Sequence, residues 1–177
     1  MANYKTKLHT IKAFAFDVDG VLTNGLMQVS ESGDLLRTYN AKDGLAIREA
    51  VEAGYPIAII TGGSSATISM RFKILGIPEA DIYLGARYKT TDLEKFCTKY
   101  NLQPEEIIFV GDDLPDIAPM KMCGLPCCPA DAAPEVKAAA EYISNRNGGE
   151  GCIRDIIEQV MKIQGKWNTD NPPISAF

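Results

Sequence analysis

Four short apolar runs punctuate the chain: IKAFAF (11–16), YPIAII (55–60), DIYL (81–84) and EIIFV (106–110). Each is nearly continuous rather than alternating, which is how strands buried on both faces of a parallel sheet read. Stretches of helical spacing lie between them. DGLAIREAVEAG (43–54) ends in Gly54 and SSATISMRFKILG (64–76) runs from serines to Gly76. TTDLEKFCTKYN (90–101) opens on Thr91 with Glu94 three residues on, the pattern of a capping box. A last helix is predicted over GCIRDIIEQVMKI (151–163), where Ile153, Ile156, Ile157, Val160 and Ile163 form a stripe to pack back on the sheet. Strands alternating with helices predict a doubly wound parallel α/β sheet.

One segment breaks the alternation. GLMQVSESGDLLRTYN (25–40) reads as two short strands around ESGD, a hairpin. Active sites of such sheets lie at the carboxyl ends of the strands, so this hairpin is expected to project over that end as a flap. The tail QGKWNTDNPPISAF (164–177) is polar, carries two prolines and is expected to be extended. With no internal repeat and no low-complexity linker, residues 1–177 read as one domain.

Composition narrows the classes. The 177 residues are 46% hydrophobic, enough for a good core, and 18 Lys+Arg against 23 Asp+Glu give a net charge of −5. No stretch is strongly basic, which argues against a nucleic-acid surface. No apolar run approaches the ~20 residues of a membrane span. The segment MANYKTKLHTIKAFAFD lacks the features of a signal peptide, so a cytoplasmic chain is expected. Cys97, Cys123, Cys127, Cys128 and Cys152 include no CxxC pair and read as free core thiols. His9 is the only histidine and sits in a polar arm. Proton transfer must then fall to carboxylates or lysine.

Chemistry-bearing residues follow the apolar runs. Asp17-Val-Asp19-Gly20 follows the first, Thr61-Gly62-Gly63 the second, and Gly111-Asp112-Asp113 with Asp116 the fourth, while Lys89 comes shortly after the third. Singly, each has an ordinary explanation as a turn, a cap or a solvated lysine. Together, at successive strand ends, they form a set of carboxylates, one hydroxyl and one lysine. Crowded carboxylates that stay ionised want a hard cation, and magnesium suits all-oxygen ligands. Phosphoacceptor receiver domains use similar residues in another order: their acceptor aspartate is mid-chain and no acidic motif follows the lysine.

The order DxD, Thr, Lys, GDDxxD resembles the haloacid dehalogenase superfamily of phosphohydrolases. The resemblance implies a Rossmann-like core and the following roles. Asp17 matches the nucleophile, Asp19 the general acid/base, and Thr61 and Lys89 the groups that bind phosphoryl oxygens. Asp112 matches the Mg2+ ligand, alongside the Asp17 carboxylate and the Asp19 backbone carbonyl, with Asp113 and Asp116 as supporting acidic positions.

The gaps from Asp19 to Thr61 and from Thr61 to Lys89 are too short for a cap domain. The site is expected to be open, covered by a macromolecular substrate or by other subunits. YNAKDGLAIR (39–48), RNGGEGCIRDI (146–156) and QGKW (164–167) resemble the capless, homotetrameric branch that hydrolyses phosphorylated ulosonic acids in lipopolysaccharide precursor synthesis. That resemblance implies substrate contacts from Asn40, Ala41, Lys42, Asp43, Gly44, Arg48 and Arg71, together with Asp19, Gly63 and Lys89. Many members carry arginine where Gly63 stands, so one cationic contact is missing and Arg87 is the candidate substitute. The GGEG stretch is shared with enzymes of nine-carbon ulosonate 9-phosphates; QGKW favours an eight-carbon 8-phosphate. A protein or nucleotide phosphatase with an open site, and a non-catalytic scaffold, are the alternatives from other classes.

Overall fold

The structure is a computed structural model and describes residues 4–167. It begins with α1 (Tyr4–Lys7), the central strand β1 (Ala13–Phe16) and a hairpin of β2 (Gln28–Val29) and β3 (Leu35–Leu36). Then come α2 (Ala41–Glu52), β4 (Ile57–Ile60), α3 (Ala66–Ile74), β5 (Ile82–Tyr83) and α4 (Lys89–Tyr100). The chain continues through β6 (Ile107–Val110), α5 (Ile117–Met122), β7 (Leu125–Cys128), α6 (Pro134–Ala139), β8 (Tyr142–Ile143) and α7 (Cys152–Ile163).

Six strands form one sheet in the order β5-β4-β1-β6-β7-β8, and every neighbouring pair is parallel. β1 is central, and the chain leaves it first toward β4 and later toward β6. That reversal opens a crevice at the carboxyl ends of these strands. Alternation along β1 divides the core. Phe14 and Phe16 meet the faces of α2, α3 and α7, whereas Ala13 and Ala15 meet α4, α5 and α6. The stripe on α7 is buried at Ile153, Ile156, Ile157 and Val160, worth roughly 1.5–3 kcal/mol each. All five cysteines are free and buried.

The four expected strands are present, with β5 reduced to two residues, and β7 and β8 extend the sheet beyond them. β7 reads LPCC, and a proline inside a central strand argues against strand on sequence grounds. Here the Pro126 carbonyl accepts from the Glu141 amide. The position without an N–H therefore faces the sheet's outer side, ahead of β8, and not β6. The capping box expected at Thr91 and Glu94 is not formed: α4 starts earlier, at Lys89, so Thr91 already lies in its first turn. α2 likewise starts earlier, at Ala41, with the Asn40 side chain accepting from the Lys42 amide.

The tail expected to be extended is anchored where it is described. The Gln164 amide donates to the Leu8 and Ile11 carbonyls (2.8 Å each), and its oxygen accepts from Tyr55 Oη (2.7 Å). Trp167 packs on the core with the Arg154 guanidinium 4.6 Å from its ring centroid. The rest of the tail, including both prolines, lies outside the described residues. Between Asp19 and Thr61 the chain holds only the hairpin and α2 as regular elements beyond β4, and no cap domain. Among the described residues no helix is long and apolar enough to cross a membrane.

Candidate active site

Asp17 stands one residue beyond β1, and its amide donates to the Val110 carbonyl (3.0 Å), the last ladder bond to β6. The sheet itself therefore aims this carboxylate. Lys89, the first residue of α4, places Nζ 2.8 Å from Asp17 Oδ1 and 2.7 Å from Asp116 Oδ1. Asp116 Oδ2 accepts from the amides of Asp112 (3.1 Å) and Asp113 (3.3 Å). Both Asp116 oxygens are thus committed to holding the lysine and shaping the 111–113 loop. Asp113 is exposed and caps the turn that follows, accepting from the Leu114 amide. Thr61 is buried beyond β4; its carbonyl accepts from Ala86 and its hydroxyl from the Gly63 amide (3.1 Å).

Electrostatics make the floor unusual. Burial, then the charge of Asp116, push the Asp17 carboxyl up to about 6 against the pull of Lys89. Burial, then Asp17 and Asp116, push Asp112 up to about 7. Burial alone would lower the Lys89 ammonium, but Asp17 and Asp116 outweigh it and hold it above the ordinary lysine value. Carboxylate oxygens of Asp17, Asp112 and Asp116 lie within 4.8 Å of one another. Asp112 Oδ1 is buried with no hydrogen-bond partner among the described residues. That oxygen and Asp17 are the natural cation ligands, because Asp116 is already used. The donors are all oxygen, as a magnesium ion requires.

Two glycines make this packing possible. Gly20 has φ +92°, and a Cβ there would lie 2.0 Å from Asp112 Oδ2. Gly148, in the GGEG stretch, backs the same loop: a Cβ there would fall 1.8 Å from the Gly20 carbonyl oxygen. The GGEG signature thus supports the DxD loop from behind.

An open cleft of about 1080 Å³ brings together Asp17, Asp19, Thr61, Gly63, Arg87, Lys89, Asp112, Asp113 and Asp116. The hairpin walls it through Met27, Leu35 and Arg37. Arg37 was not singled out from sequence. Its Nε and Nη2 donate to Asp19 Oδ1 (2.7 Å) and Oδ2 (2.9 Å), and its side chain is only 3% exposed. A lone cation directly after the two leucines of β3 was the one weak signal. Arg87 lines the cleft as an exposed residue.

The other expected substrate contacts do not line this cleft. Asn40 caps α2 and donates to the Gly149 carbonyl. Asp43 is buried and accepts from the amides of Gly151 and Arg154, capping α7 from a neighbouring helix. Burial raises its carboxyl while those amides pull the other way. Gly44 packs beneath the Arg71 guanidinium, which also lies over the Tyr39 ring. Ala41 and Lys42 are exposed on the first turn of α2, and Arg48 pairs with Glu52 on its surface.

Known proteins resemble this chain in sequence and fold. The haloacid dehalogenase-like hydrolase family matches residues 34–124. The 3-deoxy-D-manno-octulosonate 8-phosphate phosphatase of Salmonella typhi is 35% identical over 161 residues, 91% of this chain and 85% of that protein. Its counterpart in Escherichia coli K12 is 34% identical over 165 residues, 93% of this chain and 87% of that protein. Among solved structures, the Moraxella catarrhalis 3-deoxy-D-manno-octulosonate 8-phosphate phosphatase, in complex with magnesium ion, phosphate ion and KDO, superposes with a TM-score of 0.88. That match is 32% identical and covers 93% of this chain and 94% of the other. With the DxD at the end of β1, the lysine on α4 and relatives matching along almost its whole length, this chain belongs to the haloacid dehalogenase-like hydrolases.

Proposed function

We propose that the chain is a magnesium-dependent phosphatase that converts 3-deoxy-D-manno-octulosonate 8-phosphate to the free sugar acid and phosphate. One observation carries the reaction class: a buried lysine bridges Asp17 and Asp116 beside the partnerless Asp112 oxygen. The relatives' names carry the substrate.

Asp17 Oδ attacks phosphorus as the bond to the sugar oxygen breaks, and Asp19 gives that oxygen a proton. Water then attacks the aspartyl phosphate, Asp19 takes the water's proton, and Asp17 leaves as a carboxylate. Lys89 and the Thr61 hydroxyl hold the equatorial oxygens through the displacement. Magnesium, held by the Asp17 and Asp112 carboxylates and the Asp19 carbonyl, would offset the repulsion between an anionic nucleophile and an anionic ester.

The same proposal includes a cytoplasmic homotetramer with shared active sites. Leu26, Val29 and Leu36 of the hairpin are 75%, 70% and 52% exposed, an apolar surface that fits a second copy of itself. In this reading a neighbour seated there would bring the exposed side of its own α2, with Lys42 and Arg48, toward the cleft. The deciding experiment measures phosphate release, with and without magnesium, from the eight-carbon 8-phosphate, a nine-carbon ulosonate 9-phosphate and a phosphopeptide. The reading expects magnesium-dependent turnover with the first substrate preferred. Preference for either other substrate, or turnover that survives exhaustive chelation, defeats it.

A further inference from the structure

We propose that Arg37, delivered by the hairpin, is the cation that receives the substrate's phosphoryl group beside Gly63, and that it does so by exchanging Asp19 for that group. The inference rests on the cleft being a phosphatase site and adds a residue to its binding machinery.

Three observations converge on this side chain. Its guanidinium holds both oxygens of Asp19, 2.7 and 2.9 Å away, in a bidentate fork. Its third nitrogen, Nη1, is buried without a hydrogen-bond partner among the described residues, although buried donors are nearly always paired. Its Nη2 lies 3.1 Å from where a Cβ on Gly63 would stand, a point itself 3.4 Å from Thr61 Oγ1. Arg37 therefore occupies the space that glycine at position 63 leaves open, next to the hydroxyl assigned to the phosphoryl group.

The chemistry of exchange is straightforward. A guanidinium fork matches phosphate oxygens as well as carboxylate oxygens, and a dianionic phosphoryl group carries twice the charge of one carboxylate. While Arg37 grips Asp19, both carboxylate oxygens are taken up as acceptors, and neither faces a leaving group. Phosphoryl binding would free both Asp19 oxygens only when an ester occupies the cleft. The hairpin would be drawn down in the same step, because Arg37 is its fixed point over the cleft.

A merely structural Arg37 would pin the hairpin and nothing more. Calorimetric titration of the magnesium-loaded protein with inorganic phosphate separates the two. Arg37→Ala should weaken phosphate binding at least about tenfold, the scale of a charge-assisted fork. Adding Gly63→Arg to that variant should recover most of the loss. Position 63 has no left-handed backbone, and the remaining obstacle to a side chain is the flexible end of Ile68, 2.8 Å from the new Cβ. Unchanged phosphate binding in Arg37→Ala, or a loss that Gly63→Arg leaves unrepaired, overturns the proposal. If Arg37→Ala fails to fold, the wild-type chain still decides. The Arg37 Nε–H resonance, assigned with Arg37→Lys, should shift on phosphate titration, and a stationary resonance is the opposing result. Because inorganic phosphate carries no sugar, a chain that turns over none of the sugar phosphates would sink the substrate reading and leave this one standing.

Discussion

The floor of the cleft and the hairpin above it are built on opposite terms. Asp17, Lys89 and Asp116 sit within the sheet's carboxyl edge, buried, with the lysine and both Asp116 oxygens paired inside one chain. The hairpin has two strands of two residues each, turns Leu26, Val29 and Leu36 to solvent, and grips the cleft's acidic residues through the Arg37–Asp19 pair. The floor needs only this chain to be in position. The hairpin gains a purpose for its surface only when something covers it. Precision and incompleteness are thus separated in space, and each predicts a different response to mutation.

The largest effect belongs to the floor. Asp17→Asn removes the carboxylate proposed as the nucleophile while preserving shape, so turnover should fall at least about a thousandfold with an unchanged circular dichroism spectrum. Near-normal phosphate release from that variant would reassign the nucleophile. Asp116→Ala comes next. It leaves Lys89 with one carboxylate and two loop amides without an acceptor, so stability should drop by about 3–5 kcal/mol, the cost of breaking a buried pair. Chemical denaturation measures this directly, and a loss under 1 kcal/mol would mean the floor is less tightly coupled than its distances indicate.

The crowded carboxylates also set a pH dependence with a definite sign. Asp17 and Asp112 are held near 6 and 7 in the folded chain, above the usual value of about 4. Between roughly pH 4 and 7 the folded state binds more protons than the unfolded one, so stability falls as pH rises through that window. A magnesium ion held as proposed would bind the ionised carboxylates, so its affinity should climb with pH across the same range. Thermal melts in chelator from pH 5 to 7.5 should show Tm declining, more steeply in the wild type than in Asp112→Asn. Equal slopes in the two proteins would remove Asp112 from the account.

The contrast also explains what could be read from sequence. Asp17, Thr61, Lys89 and Asp112 were legible because strand ends in a parallel sheet must converge, and each apolar run pointed to its own strand end. β7 was not, because Pro126 masks a strand whose missing N–H faces outward. Arg37 was not, because a single cation in a short hairpin has no periodicity to mark it. The motif of Asp43 speaks of a substrate contact and not of the cap that its oxygens form on α7, a tertiary job that local sequence does not announce.

The hairpin can be tested without touching the floor. Val29 and Leu36 are exposed in the isolated chain, so Val29→Lys with Leu36→Lys should change its stability by no more than about 0.5 kcal/mol. If hairpins pair between copies, buried lysines should dissociate the tetramer in sedimentation. KM for the sugar phosphate should then rise, while turnover of p-nitrophenyl phosphate, which carries no sugar for a neighbour to hold, persists. A tetramer that survives both lysines would place its interface elsewhere.

The smallest effect sharpens the comparison most, because it asks whether a residue remote from the cleft in one chain serves the cleft of another. Arg48 lies on the surface of α2, paired with Glu52 four residues on at 2.9 Å. Such an exposed pair is worth about 0.3–0.5 kcal/mol, so Arg48→Ala should barely move Tm. If the pair is all that Arg48 does, KM should not move either. If α2 faces a neighbour's cleft, Arg48→Ala should raise KM several-fold at constant kcat, since a carboxylate contact away from the phosphoryl group stabilises ground and transition states alike. The combination with the lysine-bearing hairpin then gives the decisive reading. In dissociated chains the Arg48 effect on KM should vanish, because no neighbour remains to receive it. An effect of equal size in monomer and tetramer would instead bring Arg48 to its own chain's substrate, and the division between a self-sufficient floor and a shared wall would have to be redrawn.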